Sequence, residues 1–173
     1  MTYYNLQVHS AYDLLNSTIK YTELFSKLKK DGQDSVVITD PTLYGAIKAY
    51  KIAKKFDVNL VHGLEIKLGY GISFLKFNIL CKNTEMFYRL LEISTMIENK
   101  VEWSIEKLVE ELKKSKEDFV IIVIDELRDS MEFSYLNDVL KGFDFYFGFN
   151  EKFDGSLYQY YENVVYTKPS FYL

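Results

Sequence analysis

An imidazole and two carboxylates stand at the ends of three short apolar runs: His9 beside Ser10, Asp40 before Pro41, and Glu65 after Gly63-Leu64. Imidazole nitrogen and carboxylate oxygen are donors that hold divalent cations, which in turn polarise a bound group or lower the pKa of a bound water. Later runs end in Asp125-Glu126, Asn150-Glu151 and Thr167-Lys168-Pro169-Ser170-Phe171. Each residue alone has a plainer reading, the aspartate as a turn former or helix cap and the histidine as a hydrogen-bonded structural group. Three polar residues at three successive run ends form a constellation that outweighs any one of them. Gln7 lies two residues before His9, on the same side of an extended segment, and its amide is a poor substitute for imidazole as a ligand.

The elements that would position these groups alternate. Residues 3–8 read as a strand, and 19–30 as a helix with Leu24, Phe25 and Leu28 on one face and Gly32 as a left-handed stop. Residues 35–39 form a short β-branched strand of the kind found buried in parallel sheets. Residues 44–56 read as a helix packed closely on the sheet through Ile47, Tyr50 and the small Ala46, Ala49 and Ala53. A strand over 59–68, interrupted at Gly63, leads through Gly69-Tyr70-Gly71 into a strand over 72–81, which reads as a hairpin. A helix over 84–99 carries Phe87, Leu90, Leu91 and Ser94 at helical spacing. Ser104 caps another, with Ile105, Leu108, Val109 and Leu112 on one face. Residues 119–124 are the clearest buried strand. A helix over 132–141 and strands over 143–147 and 163–166 follow, and 153–161 stays ambiguous. Such alternation implies right-handed crossovers and a mostly parallel sheet, either open and doubly wound or closed into a distorted barrel. In both, working side chains gather where strands end.

With 173 residues, 48% of them hydrophobic and only 2 prolines and 8 glycines, the chain reads as one compact domain over 1–173. A net charge of −4 lacks the basic footprint of an autonomous nucleic-acid binder, and the helical lysines beside acidic residues read as solvated faces. The single Cys81 excludes an internal disulfide and a cysteine-based zinc site. No signal-peptide pattern opens the chain and no apolar run reaches membrane-spanning length, so the expected location is cytoplasmic, with no membrane partner.

Several segments resemble PHP (polymerase and histidinol phosphatase) domains, specifically the one that opens the bacterial DNA polymerase III alpha subunit. Residues 7–15, Gln-Val-His-Ser-Ala-Tyr-Asp-Leu-Leu, are similar to His-x-His-Ser-x-Tyr-Ser-Leu-Leu. Val36-Val37-Ile38-Thr39-Asp40-Pro41 stands where the family ends an apolar run in Thr-Asp-His. Leu43-Tyr44-Gly45-Ala46 looks like the start of the next helix, Phe-Gly-Ala. Val61-His62-Gly63-Leu64-Glu65-Ile66 is similar to Ile-Gly-Cys-Glu-Val, and Leu80-Cys81-Lys82-Asn83 to Leu-Ala-Lys-Asn. Residues 164–173 match Val-Val-Ala-Thr-Asn-Asp-Val-His-Tyr-Leu. The resemblance covers nearly the whole chain and implies a distorted (βα)7 barrel of the PHP type, in the α/β class.

Carried over position by position, the resemblance implies a depleted site. His9, Asp40 and Glu65 keep ligand-type chemistry. Gln7, Pro41, Lys76 and Phe171 stand in histidine places, and Pro169 in that of an aspartate. Lys76 would then replace the missing cation as an internal ion pair with Asp40 and Glu65. His62, beside the third motif, would point away from Glu65 by strand alternation. The reading implied is a noncatalytic structural and interaction module, with no catalytic residue and no metal expected, from a longer replicative polymerase. That parent is a DNA-directed DNA polymerase, a nucleotidyltransferase of DNA replication, and lack of an inserted exonuclease module favours the type without intrinsic proofreading. Its partners would be the remaining polymerase domains and other replisome proteins, with DNA bound through the parent enzyme. The alternative is a metal-dependent phosphoesterase or 3′→5′ exonuclease holding one weakly bound zinc or manganese ion on a reduced ligand set. An unrelated α/β binding domain, such as a small-molecule sensor, would need the motif order to be coincidence.

Overall fold

The computed structural model describes residues 4–71, 73–99, 103–115, 118–124, 130–149 and 163–172. Helix α1 (Tyr21–Lys30) buries Tyr21, Leu24, Phe25 and Leu28. It ends as its sequence demands: Gly32 takes φ +71°, its N–H bonds to the Lys29 carbonyl at 3.2 Å, and that of Gln33 to Leu28 at 2.8 Å. Strand β1 (Ser35–Ile38) follows, then α2 (Ala46–Phe56), whose Ala46, Ala49 and Ala53 are buried. Ile47 and Tyr50 are not: they remain 59% and 55% exposed, because the packed face is made by the alanines with Ile52 and Phe56.

Strand β2 (Asn59–Tyr70) is unbroken, contrary to the expected interruption at Gly63. Gly63 instead marks an exchange of partners, since Asn59 to His62 pair parallel with β1 and Gly63 onward pairs antiparallel with β3 (Ser73–Cys81). A Cβ there would stand 2.6 Å from Leu80 Cδ2 and 2.9 Å from Thr39 Cγ2, so only glycine fits the approach. Helices α3 (Thr84–Glu98) and α4 (Ile105–Lys113) begin at Asn83 and Ser104, whose side chains accept from Met86 N and Lys107 N. Strand β4 (Phe119–Val123), helix α5 (Ser130–Val139), strand β5 (Asp144–Phe149) and strand β6 (Val164–Tyr166) complete the order.

Among the described residues six strands lie in the order β1-β2-β3-β4-β5-β6, with β3 alone reversed. The sheet curls, and its two ends meet on one residue. Val8 bridges Ile38 on one side and Ser170 on the other. The expected strand over 3–8 is reduced, within the described residues, to this single rung, and Val8 takes the seventh place in a distorted barrel. One cluster of core side chains packs β2 to β5 against α3, α4 and α5, and a second packs β1 against α1 and α2. A small third cluster, Val37, Leu80 and Ile122, lines a cavity of about 500 Å³ together with Leu6, Val61 and Val165.

Candidate functional site

The rung at Val8 aims the first motif. Val8 N–H donates to Val37 O at 3.2 Å and Thr39 N–H to Val8 O at 2.9 Å. On the other side His9 N–H donates to Ser170 O and Ser170 N–H to Gln7 O, both at 3.0 Å. Held between β1 and Ser170, Gln7 and His9 project to the same side and reach the same atom. Gln7 Nε2 donates to Glu65 Oε2 at 3.3 Å, and His9 Nε2 lies 3.4 Å from it. The His9 ring, 1% exposed, stacks on Phe171 with centroids 4.7 Å apart. Its Nδ1 lies 3.0 Å from Asp13 Oδ2, and neither carboxylate is aligned with the ring as a hydrogen-bond acceptor.

Asp40 is bound differently. Its Oδ1 accepts from Ser10 N–H at 2.6 Å and its Oδ2 from the Ser10 hydroxyl at 2.5 Å, with Tyr21 Oη 3.5 Å from Oδ2. Burial pushes the Asp40 carboxyl above the ordinary aspartate value, and the two Ser10 bonds oppose that rise. Gly45 makes room for this cluster, since a Cβ on it would stand 2.1 Å from Tyr21 Oη. Glu65 is joined to the same region through its N–H, which donates to Asp40 O at 3.1 Å.

Lys76 corrects an expectation. Among the described residues it forms no ion pair with Asp40 or Glu65, because the hairpin register sets it opposite Lys67, while Glu65 lies opposite Asn78. Asn78 is fully buried, and its amide oxygen and nitrogen have no hydrogen-bond partner among the described residues. His62 faces outward, its ring 5.0 Å from that of Phe87, and burial holds it down to about 4. Pro41 and Pro169 are exposed and carry no side-chain donor atom. Residues 125–126 and 150–151 lie outside the described residues.

The donors present do not fit a cluster of several cations. Asp13 and Glu65 meet opposite nitrogens of His9, so the three share no focus, and Asp40 already accepts from Ser10 through both oxygens. Among the described residues no three His, Cys, Asp or Glu side chains converge as a metal-binding group. Asp13 was not singled out from sequence. Its signal was the spacing of four residues from His9, which a turn closes through Asp13 N–H to Ser10 O at 2.8 Å. Asn78 became legible only once the hairpin register was known.

The family model described as the PHP domain matches residues 5–170. A DNA polymerase III subunit alpha of Bacillus subtilis is 36% identical over 104 residues, covering 58% of this chain and 9% of that protein. One from Staphylococcus epidermidis is 33% identical over 121 residues, covering 68% and 11%. This chain therefore spans about a tenth of the length of these relatives. Among solved structures, a protein from Bifidobacterium adolescentis named as a metal-dependent phosphoesterase aligns with TM-score 0.61 at 10% identity, over 85% of this chain and 77% of that one. An amidohydrolase from Chromobacterium violaceum aligns with TM-score 0.57 at 13% identity, over 85% and 76%. At such identities these two likenesses speak for the fold alone.

Proposed function

We propose that this chain, which belongs to the PHP domain family, is a noncatalytic structural and interaction domain of a DNA polymerase III alpha subunit. Residues 1–173 would be one such domain within a longer polypeptide, a cytoplasmic DNA-directed DNA polymerase. Its partners are the remaining polymerase domains and other replisome proteins, and DNA reaches it through the parent enzyme. Homology to alpha subunits supports the setting. Among the described residues no helix is long and apolar enough to cross a membrane.

One observation carries the noncatalytic part. The ligand-type side chains are committed to the protein itself: Asp40 to Ser10, and Glu65 to Gln7 with His9 at 3.4 Å. Multimetal hydrolysis needs oxygen and nitrogen donors that share open positions on the ions. Gln7, Pro41, Lys76, Pro169 and Phe171 do not supply them.

A second reading rests on the His9–Glu65 pair. Their 3.4 Å separation without hydrogen-bond alignment is close to the edge of about 3.3 Å that two ligands of a tetrahedral zinc ion span. It allows one weakly held zinc or manganese ion and a phosphoesterase or 3′→5′ exonuclease of reduced ligand set. Elemental analysis of protein purified without added metal, followed by assay on a chromogenic phosphodiester, separates the two. Substoichiometric metal and no turnover are expected. Stoichiometric metal with turnover that Glu65→Gln abolishes would overturn the noncatalytic reading.

A further inference from the structure

Helix α2 carries Lys48, Lys51, Lys54 and Lys55 and no acidic residue. All four are exposed, and none forms an ion pair among the described residues. Several lysines elsewhere behave otherwise: Lys20 pairs with Glu23, Lys27 with Asp31, and Lys107 and Lys114 with Glu111. Of the α2 lysines, only Lys48 finds a ring contact among the described residues, 5.9 Å from the Tyr12 ring centroid. On a chain of net charge −4, four uncompensated ammonium groups on an 11-residue helix form a local field that the total charge conceals.

The same helix exposes rings beside this charge. Tyr50 is 55% exposed, and Tyr88 of α3, 63% exposed, faces it across a groove of about 470 Å³. Phe87 and His62 also line the groove, and none of the described lining residues is acidic. The nearest carboxylate at the helix start, Glu98, accepts a hydrogen bond from the Tyr44 hydroxyl. At the other end Asp57, the residue after α2, lies 3.7 Å from Lys29 Nζ of α1, so the four lysines lie between two carboxylates that are each engaged by another side chain.

We propose that this face binds single-stranded nucleic acid, with phosphates along the α2 lysines and a base stacked in the groove on Tyr50. Lysines three and four residues apart on a helix rise by about 4.5–6 Å, a spacing that tracks a backbone of repeating anions. Exposed aromatic faces beside such a ridge are the sequence-tolerant platform on which bases stack. An acidic protein helix is the poorer occupant. The exposed apolar surface here is two tyrosine rings and Ile47, whereas a stable protein interface needs about 800 Å² per partner. The proposal is independent of whether the barrel mouth is catalytic.

The test is fluorescence anisotropy of the full chain with a labelled oligothymidylate of about 12 nucleotides, titrated from about 50 mM salt upward. Binding is expected to weaken steeply with salt. Lys51→Gln with Lys54→Gln should lower the slope of log affinity against log salt by about 1.4. Tyr50→Ala should weaken binding at least about fivefold. Lys20→Gln with Lys27→Gln, on α1, should leave affinity within about twofold, apart from the small loss of long-range charge. All substituted side chains are exposed, and circular dichroism melting checks that each variant stays folded. No binding at the lowest salt, or α2 variants that bind like the parent, overturns the proposal. So does displacement of the oligonucleotide by polyglutamate as efficiently as by unlabelled oligothymidylate, which assigns the face to an acidic protein segment.

Discussion

His9 lies between two carboxylates and against a phenyl ring, and its neighbours explain what the first motif has become. Gln7 donates to Glu65 Oε2 at 3.3 Å, so an imidazole at position 7 would open toward that same oxygen. Phe171 stacks on the ring of His9, so an imidazole there would lie against the same group. Gln7→His combined with Phe171→His should therefore convert a pair of donors into a set of four with His9 and Glu65. Calorimetric titration with zinc is expected to show one site at least about tenfold tighter than the parent's, the scale on which ligand-shell changes act. No gain would mean that the backbone at these positions no longer aims side chains at Glu65. How much of this was legible differs by residue. Gln7 and His9 fall on one side because strand alternation is fixed by stereochemistry. The failed pairing of Lys76 follows from register, which places it opposite Lys67, and register depends on turn geometry rather than composition. Asp13 was hidden because its approach to His9 depends on a loop in which Leu15 takes φ +71°.

At the scale of elements, α3 and α4 are held together by one buried carboxylate. Glu111 accepts from Arg89 at 2.5 Å and from Lys114 at 2.8 Å, with Lys107 Nζ 3.0 Å away. Hydrogen bonds from Lys114 and Lys107 bring its carboxyl down to about 2, against 4.5 for an ordinary glutamate. A folded-state value below the unfolded one means that the unfolded chain takes up the proton first. The stabilisation is thus complete above about pH 4.5 and is lost as pH falls toward 2. Glu111→Gln should lower stability at pH 7 by about 1–3 kcal/mol, the cost of losing hydrogen bonds to charged groups. Urea unfolding across this range should show the two proteins converging in acid. Parallel curves would mean that the pairs add no pH-dependent stability. The flanking elements were readable because their signals are local: Gly32 as a stop, Ser104 as a cap, the β-branched run of β1. The exposure of Ile47 and Tyr50 was not, because hydrophobic periodicity names an apolar face without saying how much of it the neighbours cover. The continuity of β2 through Gly63 was also missed. A glycine inside a strand reads as a break, whereas here it permits a close approach as one partner strand gives way to another.

The whole molecule is closed by its two end segments meeting over a single rung. Alternation of elements implied a mostly parallel sheet, open or closed, but could not show that, within the described residues, residues 3–8 contribute only Val8 to it. That rung has few bonds, and most come from residues beyond β6. Ser170 accepts from His9 N–H and donates to Gln7 O. Phe171 O accepts from Thr18 N–H at 3.2 Å and from the Ser17 hydroxyl at 3.1 Å, and Asn5 Nδ2 donates to Ser170 Oγ at 2.6 Å. Removing everything after Lys168 deletes all five bonds and the ring beneath His9, while β6 and the main core clusters stay. At about 0.5–1.5 kcal/mol net for each bond, the loss should come to about 2.5–7.5 kcal/mol. It should not be spread evenly. Amide exchange is expected to accelerate at His9 and Thr18, whose acceptors are gone, and to stay slow in β4, buried between β3 and β5. A truncated chain whose exchange rises uniformly would show that the seam opens only when the whole barrel does, and that Val8 is as firmly part of the sheet as any complete strand.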